Sequence, residues 1–102
     1  MTLAQVRELA RSVGFPNPEL AAAIAYAESN GFPRILGDEG TSFGLWQVNR
    51  PSHPDLASAD LLDPLVNARA ALAISRGGTD FTPWTQYRTG AYQKYLALQG
   101  TA

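Results

Sequence analysis

The chain is organised around the segment Ala21-Ala22-Ala23-Ile24-Ala25-Tyr26-Ala27-Glu28-Ser29-Asn30-Gly31. Its small apolar residues predict a helix, and the closing Asn-Gly pair is a typical signal for the end of one. Spacing of i, i+3, i+4 and i+7 marks the face of a helix that packs on a core. That spacing is met by Leu20, Ala23, Ile24 and Ala27.

Glu28 is the single carboxylate in the last turn of this helix, and it lies at the edge of the apolar stripe. A glutamate that is simply exposed to solvent would be expected on the opposite face of the helix, near Tyr26 or Ala22. Burial raises the pKa of a carboxyl group because it disfavours the charged form. A general acid that works near neutral pH needs such a raised pKa. The position therefore indicates a candidate catalytic acid, with an ordinary residue at the rim of the stripe as the alternative.

Composition sets the limits on fold and function. A chain of 102 residues predicts one domain, residues 1–102. Eight basic and nine acidic residues give a net charge of −1 without clustering, so no nucleic-acid partner is expected. The chain has no cysteine and one histidine, which argues against disulfides and against a protein-built metal site. No cofactor is expected.

Membrane insertion and export signals are not predicted. No apolar run approaches the ~20 residues that span a bilayer. The first fifteen residues include Arg7, Glu8 and Arg11, which interrupt any signal-peptide core.

Caps and helix breakers divide the rest of the chain into short helices and connectors. Thr2 and Gln5 form a capping box, and Gly14 ends the first helix. The later helix starts are predicted at Asn17-Pro18, Asp63-Pro64, Thr82-Pro83 and Thr89 or Gly90. The stretch from Arg50 to Asp60 is interpreted as a connector that carries His53 on its surface.

Glycines and a proline punctuate residues 31–43, which predicts an irregular loop or a short β-hairpin beside the central helix. Strand patterns are weak elsewhere. The predicted fold is therefore mainly α, with this one irregular or hairpin-bearing loop. Long loops in small domains often carry function, and this one carries Asp38 and Glu39.

Aromatic and amide side chains suggest a neutral, polyhydroxylated ligand such as a sugar. The apolar run from Phe43 to Asn49 contains Gln47 and Asn49, and buried amides need a partner or a ligand. For Gln47 the alternative is a hydrogen bond to the backbone, and for each aromatic residue the alternative is a place in the core. A phosphate site is not favoured, because Gly37-Asp38-Glu39-Gly40 has acid where a phosphate loop has lysine.

Four segments resemble the lysozyme-like superfamily, in particular soluble lytic transglycosylases and the phage lysozyme-like domains of actinobacterial viruses. In order they are Ala27-Glu28-Ser29-Asn30-Gly31, Ser42-Phe43-Gly44-Leu45-Trp46-Gln47-Val48-Asn49, Asp63-Pro64 through Asn67 to Ala71, and Phe81-Thr82-Pro83-Trp84-Thr85-Gln86-Tyr87 with Gly90-Ala91-Tyr92. The second is similar to the motif Gly-Leu-Met-Gln-Ile, with Trp46 in place of methionine. The Ala-Tyr-Asn segment of the transglycosylases is absent, so the counterpart of its tyrosine is open between Tyr87 and Tyr92.

The resemblance implies an enzyme that cleaves the β-1,4 bond between N-acetylmuramic acid and N-acetylglucosamine in peptidoglycan. Glu28 would be the general acid, with Asp38 first and Glu39 second as candidates for the other carboxylate of a hydrolase. Alternatively, Glu28 would act alone and leave a 1,6-anhydro end, as in lytic transglycosylases. The substrate-binding residues implied are Ser29, Trp46, Gln47, Asn49, Trp84, Tyr87 and Tyr92.

Two other classes of function stay open at this stage. The domain could bind peptidoglycan without cleaving it, for example as a structural part of a phage tail, or it could be a helical protein-interaction domain. For the enzyme we expect a monomer or a domain of a larger phage protein. It would reach the bacterial wall at phage lysis or as part of a virion.

Overall fold

The computed structural model describes residues 1–49 and 58–100, and it is mainly helical with one small antiparallel sheet. This architecture confirms the predicted fold class. In chain order the elements are α1 (Leu3–Val13), α2 (Pro18–Ser29), β1 (Leu36–Gly37), a 3₁₀ turn (Asp38–Gly40), β2 (Ser42–Phe43), β3 (Val48–Asn49), α3 (Ser58–Leu61), α4 (Pro64–Ile74), α5 (Thr85–Arg88) and α6 (Gln93–Ala97).

Side-chain caps start the three longer helices at the predicted residues. Thr2 and Gln5 exchange the two hydrogen bonds of a capping box at the start of α1. The side chain of Asn17 accepts from the Leu20 backbone N–H at the start of α2. Asp63 does the same for the first turn of α4. Each cap satisfies backbone N–H groups that have no partner within the helix.

Helix α2 lies at the centre of the molecule, and its burial extends beyond the predicted stripe. Every residue from Ala21 to Ala25 is fully buried, including Ala22 on the face where a solvating glutamate was expected. That expectation is wrong because alanine side chains let α1 and α6 pack closely around the helix. A helix that is apolar on all sides is a core helix. Glu28 therefore extends from the end of a core helix.

Five aromatic residues form one connected cluster of rings, in which the pairs made by Phe15 are stacked and those of Phe81 with Trp84 and Tyr87 are tilted. The ring of Phe15 lies between Trp46, at a centroid distance of 5.8 Å, and Phe81, at 6.1 Å. Phe81 in turn contacts Trp84 and Tyr87. This cluster joins the α1–α2 connection to α5 and the segment before it, so it ties the second half of the chain to the first.

The sheet contains the predicted hairpin and one strand that the sequence did not indicate. Strand β1 pairs with β2, and β2 pairs with β3, which places Ser42 opposite Asn49. The prediction of a hairpin within residues 31–43 is confirmed. Strand β3 was missed because two residues are too short to show an alternating pattern.

Three predicted boundaries differ from the structure. Helix α3 begins at Ser58, inside the predicted connector, whereas His53 lies outside the described residues. Helix α5 begins at Thr85 and not at Thr82-Pro83, because Thr82 donates two hydrogen bonds to Asp80 in a separate turn. Helix α6 begins at Gln93, after a turn at Gly90. Within residues 1–49 and 58–100, no helix combines the length and hydropathy needed to cross a membrane.

Candidate active site

A cleft of about 690 Å³ lies where the end of α2 meets the sheet and the segment before α5. Its size is within the range of ligand sites. Four parts of the chain separated in sequence contribute to it, since Ile74 at the end of α4 also lines the cleft. The lining residues are Glu28, Gly37, Asp38, Ser42, Gln47, Val48, Asn49, Ile74, Pro83, Trp84, Thr85 and Gln86.

Glu28 lies on this cleft from the last turn of α2, and its side chain is half-buried. The pKa of its carboxyl group is raised from 4.5 to about 7. Burial is the largest cause, the negative charge of Asp38 acts in the same direction, and the positive charge of Arg88 opposes them. A large share of Glu28 is therefore protonated at neutral pH, the state that a general acid requires.

Asp38 lines the same cleft from the turn between β1 and β2. Its backbone is left-handed, with φ of +49°, and so is that of Glu39, with φ of +58°. Non-glycine residues rarely adopt this conformation, and strained residues of this kind concentrate at functional sites. Glu39 is exposed and is not among the residues that line the cleft. Asp38 is thus the carboxylate of this turn that shares a cavity with Glu28.

Gln47 lines the cleft and also fixes the hairpin. Its side-chain nitrogen donates to the carbonyl groups of Ile35, at 3.2 Å, and Gly44, at 2.9 Å. Its Oε1 would lie 2.0 Å from a Cβ atom at Gly37, so a larger residue at position 37 would displace the Gln47 side chain. The hydrogen bonds to the backbone that the sequence offered as the alternative are therefore present, in a residue that faces the cavity.

Asn49 lines the cleft from β3, and its side-chain nitrogen donates to Ser42 Oγ at 3.2 Å. Ser42 in turn donates to Asp38. The sequence pointed to Asn49 and missed Ser42. The signal that would have found Ser42 is the pairing of β2 with β3, which aligns the two residues.

Two residues predicted to bind substrate are buried away from it. Trp46 has an exposed fraction of 0%, and its indole N–H donates to the carbonyl of Ala21. Ser29 is 1% exposed, donates to the Ala25 carbonyl and accepts from the Gly31 backbone N–H. Neither side chain can contact a ligand in the cleft. Trp46 packs the segment Ser42 to Asn49, called the sheet motif below, onto α2. Ser29 is the last residue of α2, directly after Glu28.

Of the aromatic residues near α5 that were predicted to bind substrate, one lines the cleft and two do not. Trp84 lines the cleft, although it is only 5% exposed, and its indole N–H donates to the Trp46 carbonyl at 2.8 Å. Tyr87 and Tyr92 stack on each other with a centroid distance of 5.3 Å and are not among the lining residues. Their predicted contact with substrate is therefore not supported by their placement. Both pack against the hydrophobic core, and Tyr87 also contacts the ring of Phe81.

Asn67 holds the sheet motif from behind. Its side chain accepts from the Trp46 backbone N–H and donates to the carbonyls of Phe43 and Leu61, all at 2.8 Å. A Cβ atom at Gly44 would lie 2.5 Å from the Asn67 amide nitrogen, and the φ of Gly44 is +77°. Glycine is therefore required where the motif passes over Asn67.

The sequence predicted only part of the cleft wall that is formed by α5 and the residues before it. Pro83, Thr85 and Gln86 line the cavity, and Arg88 influences the charge state of Glu28. The Arg88 guanidinium donates to the Thr82 carbonyl and, at 3.0 Å, to Thr85 Oγ1. These bonds hold a positive charge on the wall. Within the part of the chain that the structure describes, no group of three or more acidic, histidine or cysteine side chains is arranged to hold a metal ion.

Comparison with known proteins yields one match. A family model described as "Lysozyme like domain" matches residues 7–86, a span that includes every residue lining the cleft. No curated protein and no solved structure matches the chain.

Proposed function

This chain belongs to the family of lysozyme-like domains, and on that premise we propose that it degrades peptidoglycan. Membership of the family supports a glycosidase or transglycosylase in general, with the glycan strand as substrate. The proposed reaction is cleavage of the β-1,4 bond between N-acetylmuramic acid and N-acetylglucosamine, with Glu28 as the general acid.

One observation carries the proposal: Glu28 lies on the cleft with a pKa raised to about 7, chiefly by burial. Cleaving a glycosidic bond requires a proton for the leaving oxygen. A carboxyl group with an ordinary pKa would hold almost no proton at pH 7. Glu28 holds one over a large part of the neutral range.

In the proposed mechanism, Glu28 donates its proton to the glycosidic oxygen as the bond between that oxygen and the anomeric carbon breaks. Positive charge develops at the anomeric carbon. Asp38, across the same cleft, stabilises that charge and serves either as the nucleophile or as the base for water. Water supplies the hydroxyl group of the new reducing end. If Asp38 is the nucleophile, Glu28 takes the proton of that water and is restored directly; if Asp38 is the base, Asp38 takes the proton, and exchange with solvent returns both groups to their starting states. We favour Asp38 over Glu39 because Glu39 does not line the cleft.

Apart from Glu28 and Asp38, the lining of the cleft is uncharged, and this suits an acetylated sugar. Gln47, Asn49 and Gln86 present amide groups, and Thr85 presents a hydroxyl group. Trp84 adds an indole edge beside them. These groups form hydrogen bonds and apolar contacts without requiring a charged partner, as expected for a site that binds hydroxyl and acetamido groups.

The substitution Glu28→Gln tests whether Glu28 is the general acid. This variant keeps the size of the side chain and removes its proton-donating carboxyl group, so clearance of purified cell walls should fall at least about a hundredfold. Glu39→Gln is the matched control, since it removes a neighbouring exposed carboxylate and should retain activity. Unchanged clearance by Glu28→Gln would overturn the assignment.

The products decide between hydrolysis and transglycosylation. If Asp38 contributes as proposed, mass spectrometry of digested walls will show reducing muramic acid ends. If Glu28 acts alone as both acid and base, the products will be 1,6-anhydro-muropeptides. The second outcome would retain Glu28 and remove Asp38 from the reaction.

The rival from another class is a domain that binds peptidoglycan without cleaving it, such as a structural part of a phage tail. Sedimentation with insoluble peptidoglycan, combined with a zymogram, separates the two. Binding without clearing by the wild-type chain would favour the rival. The proposed place of action is the bacterial wall, reached at phage lysis or in a virion, in keeping with the resemblance of the Phe81 to Tyr92 block to phage domains.

A further inference from the structure

Ser42 connects three segments of the cleft through its hydroxyl group. Its Oγ donates to Asp38 Oδ2 at 2.6 Å and accepts from the Asn49 side-chain nitrogen at 3.2 Å. The first bond has the short length of an O–H to carboxylate hydrogen bond. The serine is 1% exposed, so water does not compete for these bonds. The chain Asn49 to Ser42 to Asp38 therefore runs across the sheet and ends on a carboxylate in the cleft.

The backbone of Asp38 also needs external support. Asp38 and Glu39 are consecutive non-glycine residues with left-handed φ values of +49° and +58°. Such residues persist only where their surroundings determine the conformation. Thr41 Oγ1 donates to the Asp38 carbonyl at 2.7 Å, which supports the backbone. Ser42 supports the side chain.

A carboxylate that reacts with a sugar or a water molecule has to be held close to its productive position. Displacement by about 1 Å can reduce a rate about a hundredfold. Asp38 lies in a surface turn and is exposed as a residue, so its side chain would otherwise sample several rotamers. The bond from Ser42 to Oδ2 fixes one orientation and leaves Oδ1 available.

Resting on the proposed function, we propose that Ser42 is a positioning residue that orients Asp38 for the reaction. With an exposed fraction of 1%, Ser42 contributes little contact surface to a bound glycan. Its effect passes through Asp38 Oδ2, and Asn49 orients the serine hydroxyl. The sequence separation is small, but the sheet register is what brings these three side chains together.

Steady-state kinetics of Ser42→Ala test this role. The substrate is a soluble oligomer of alternating N-acetylglucosamine and N-acetylmuramic acid. The expected result is a fall in kcat of about tenfold to a hundredfold, with KM within about twofold of the wild type. Ser75→Ala is the matched control. Ser75 is equally buried and also makes two hydrogen bonds, to Leu72 and Gly78, but it contacts neither carboxylate. Its kcat should stay near the wild-type value.

A double-mutant cycle separates positioning from general loosening of the fold. If Ser42 acts through Asp38, Ser42→Ala lowers kcat in the wild-type background and has no further effect on Asp38→Asn. An equal loss of kcat in both backgrounds would overturn the proposal, and so would a rise in KM with unchanged kcat.

Separate results contradict the role of Ser42 and the proposed function. If the wild-type chain clears no peptidoglycan, the proposed function is wrong, and so is the positioning role of Ser42. If the wild type is active and Glu28→Gln is not, full activity of Ser42→Ala overturns only the role of Ser42. A measurement that needs no turnover is the carboxyl ¹³C resonance of Asp38, which should shift in Ser42→Ala and stay in place in Ser75→Ala. An unchanged resonance in Ser42→Ala would contradict the hydrogen bond itself.

Discussion

Glu28 and Asp38 lie on the same cleft, and the charge of Asp38 raises the pKa of Glu28 beyond the effect of burial. One carboxyl group extends from a buried helix, and the other is carried by a solvent-exposed turn. The difference in surroundings gives the two groups different roles in the proposed reaction, with a proton held on the group that is less solvated. The electrostatic interaction between these two carboxyl groups can therefore be tested directly by substitution.

Asp38→Asn should lower the pKa of Glu28. The substitution removes a negative charge that disfavours the ionised form of Glu28, so the glutamate loses its proton at a lower pH. Burial, the larger cause, stays, so the pKa should remain above 4.5. A ¹³C titration of the Glu28 carboxyl group measures the change without depending on activity. A higher pKa for Glu28 in this variant would contradict the electrostatic relation.

Arg88→Gln should shift the pKa of Glu28 in the opposite direction. The guanidinium group favours the ionised form of Glu28, and its removal should therefore raise the pKa. The upper limb of the pH–activity curve should move to higher pH. Arg88→Lys keeps the positive charge and serves as the control, with a smaller shift expected. A downward shift in Arg88→Gln would show that the charge of Arg88 does not act on Glu28.

Glu28→Gln should make the folded protein more stable above pH 7 while removing activity. The pKa of Glu28 is raised on folding, so the folded state binds more protons than the unfolded state between about pH 4.5 and 7. Its stability relative to the glutamine variant falls as the pH rises through this window. The side chain is only partly buried, and solvent screening reduces the expected gain to roughly 1–2 kcal/mol.

Thermal unfolding checks that gain. In a domain of this size the unfolding temperature of Glu28→Gln should exceed that of the wild type by about 5–10 °C at pH 8. The difference should disappear below pH 4.5, where both side chains are neutral. Glu8→Gln removes an exposed carboxylate on α1 and should change the unfolding temperature little at either pH. A lower unfolding temperature for Glu28→Gln at pH 8 would contradict the linkage.

The helix starts could be predicted from the sequence because the residues that cap a helix lie next to it in the chain. The caps at Thr2, Asn17 and Asp63 act within one helical turn, and the structure contains all three at the predicted residues. The helix at Thr82-Pro83 was predicted too early because Asp80 captures the Thr82 hydrogen-bond donors. Asp80 competes with the helix as an acceptor, and a boundary rule based on proline alone does not include that competition.

The candidate site was predicted where a short motif carried the information, and missed where tertiary packing decided. Glu28 and Asp38 each stand in a recognisable local context, and both line the cleft. Trp46 follows the same kind of motif, but its side chain turns into the core and bonds to Ala21, a contact 25 residues away. Ser42 was missed because its partner across the sheet, Asn49, is defined only by strand register.

Asn67→Ala should be the most destabilising of these substitutions, because Asn67 supports the whole sheet motif from a fully buried position. The change removes three hydrogen bonds and leaves the Trp46 N–H and the carbonyls of Phe43 and Leu61 without their partner. Each buried polar group left unsatisfied costs about 1–3 kcal/mol. We therefore expect a loss of roughly 3–5 kcal/mol in the free energy of unfolding, a large share of the typical total.

Urea titration of Asn67→Ala measures this loss, with Asn17→Ala as the control. Asn17 accepts one exposed hydrogen bond at the start of α2, so its removal should cost only about 1 kcal/mol. The two variants remove the same side chain from different surroundings, and their difference isolates the effect of burial. Since Asn67 holds the backbone of Trp46, and Trp84 bonds to the Trp46 carbonyl, Asn67→Ala should also disturb the cleft wall. Equal destabilisation by the two variants would show that the motif does not depend on Asn67.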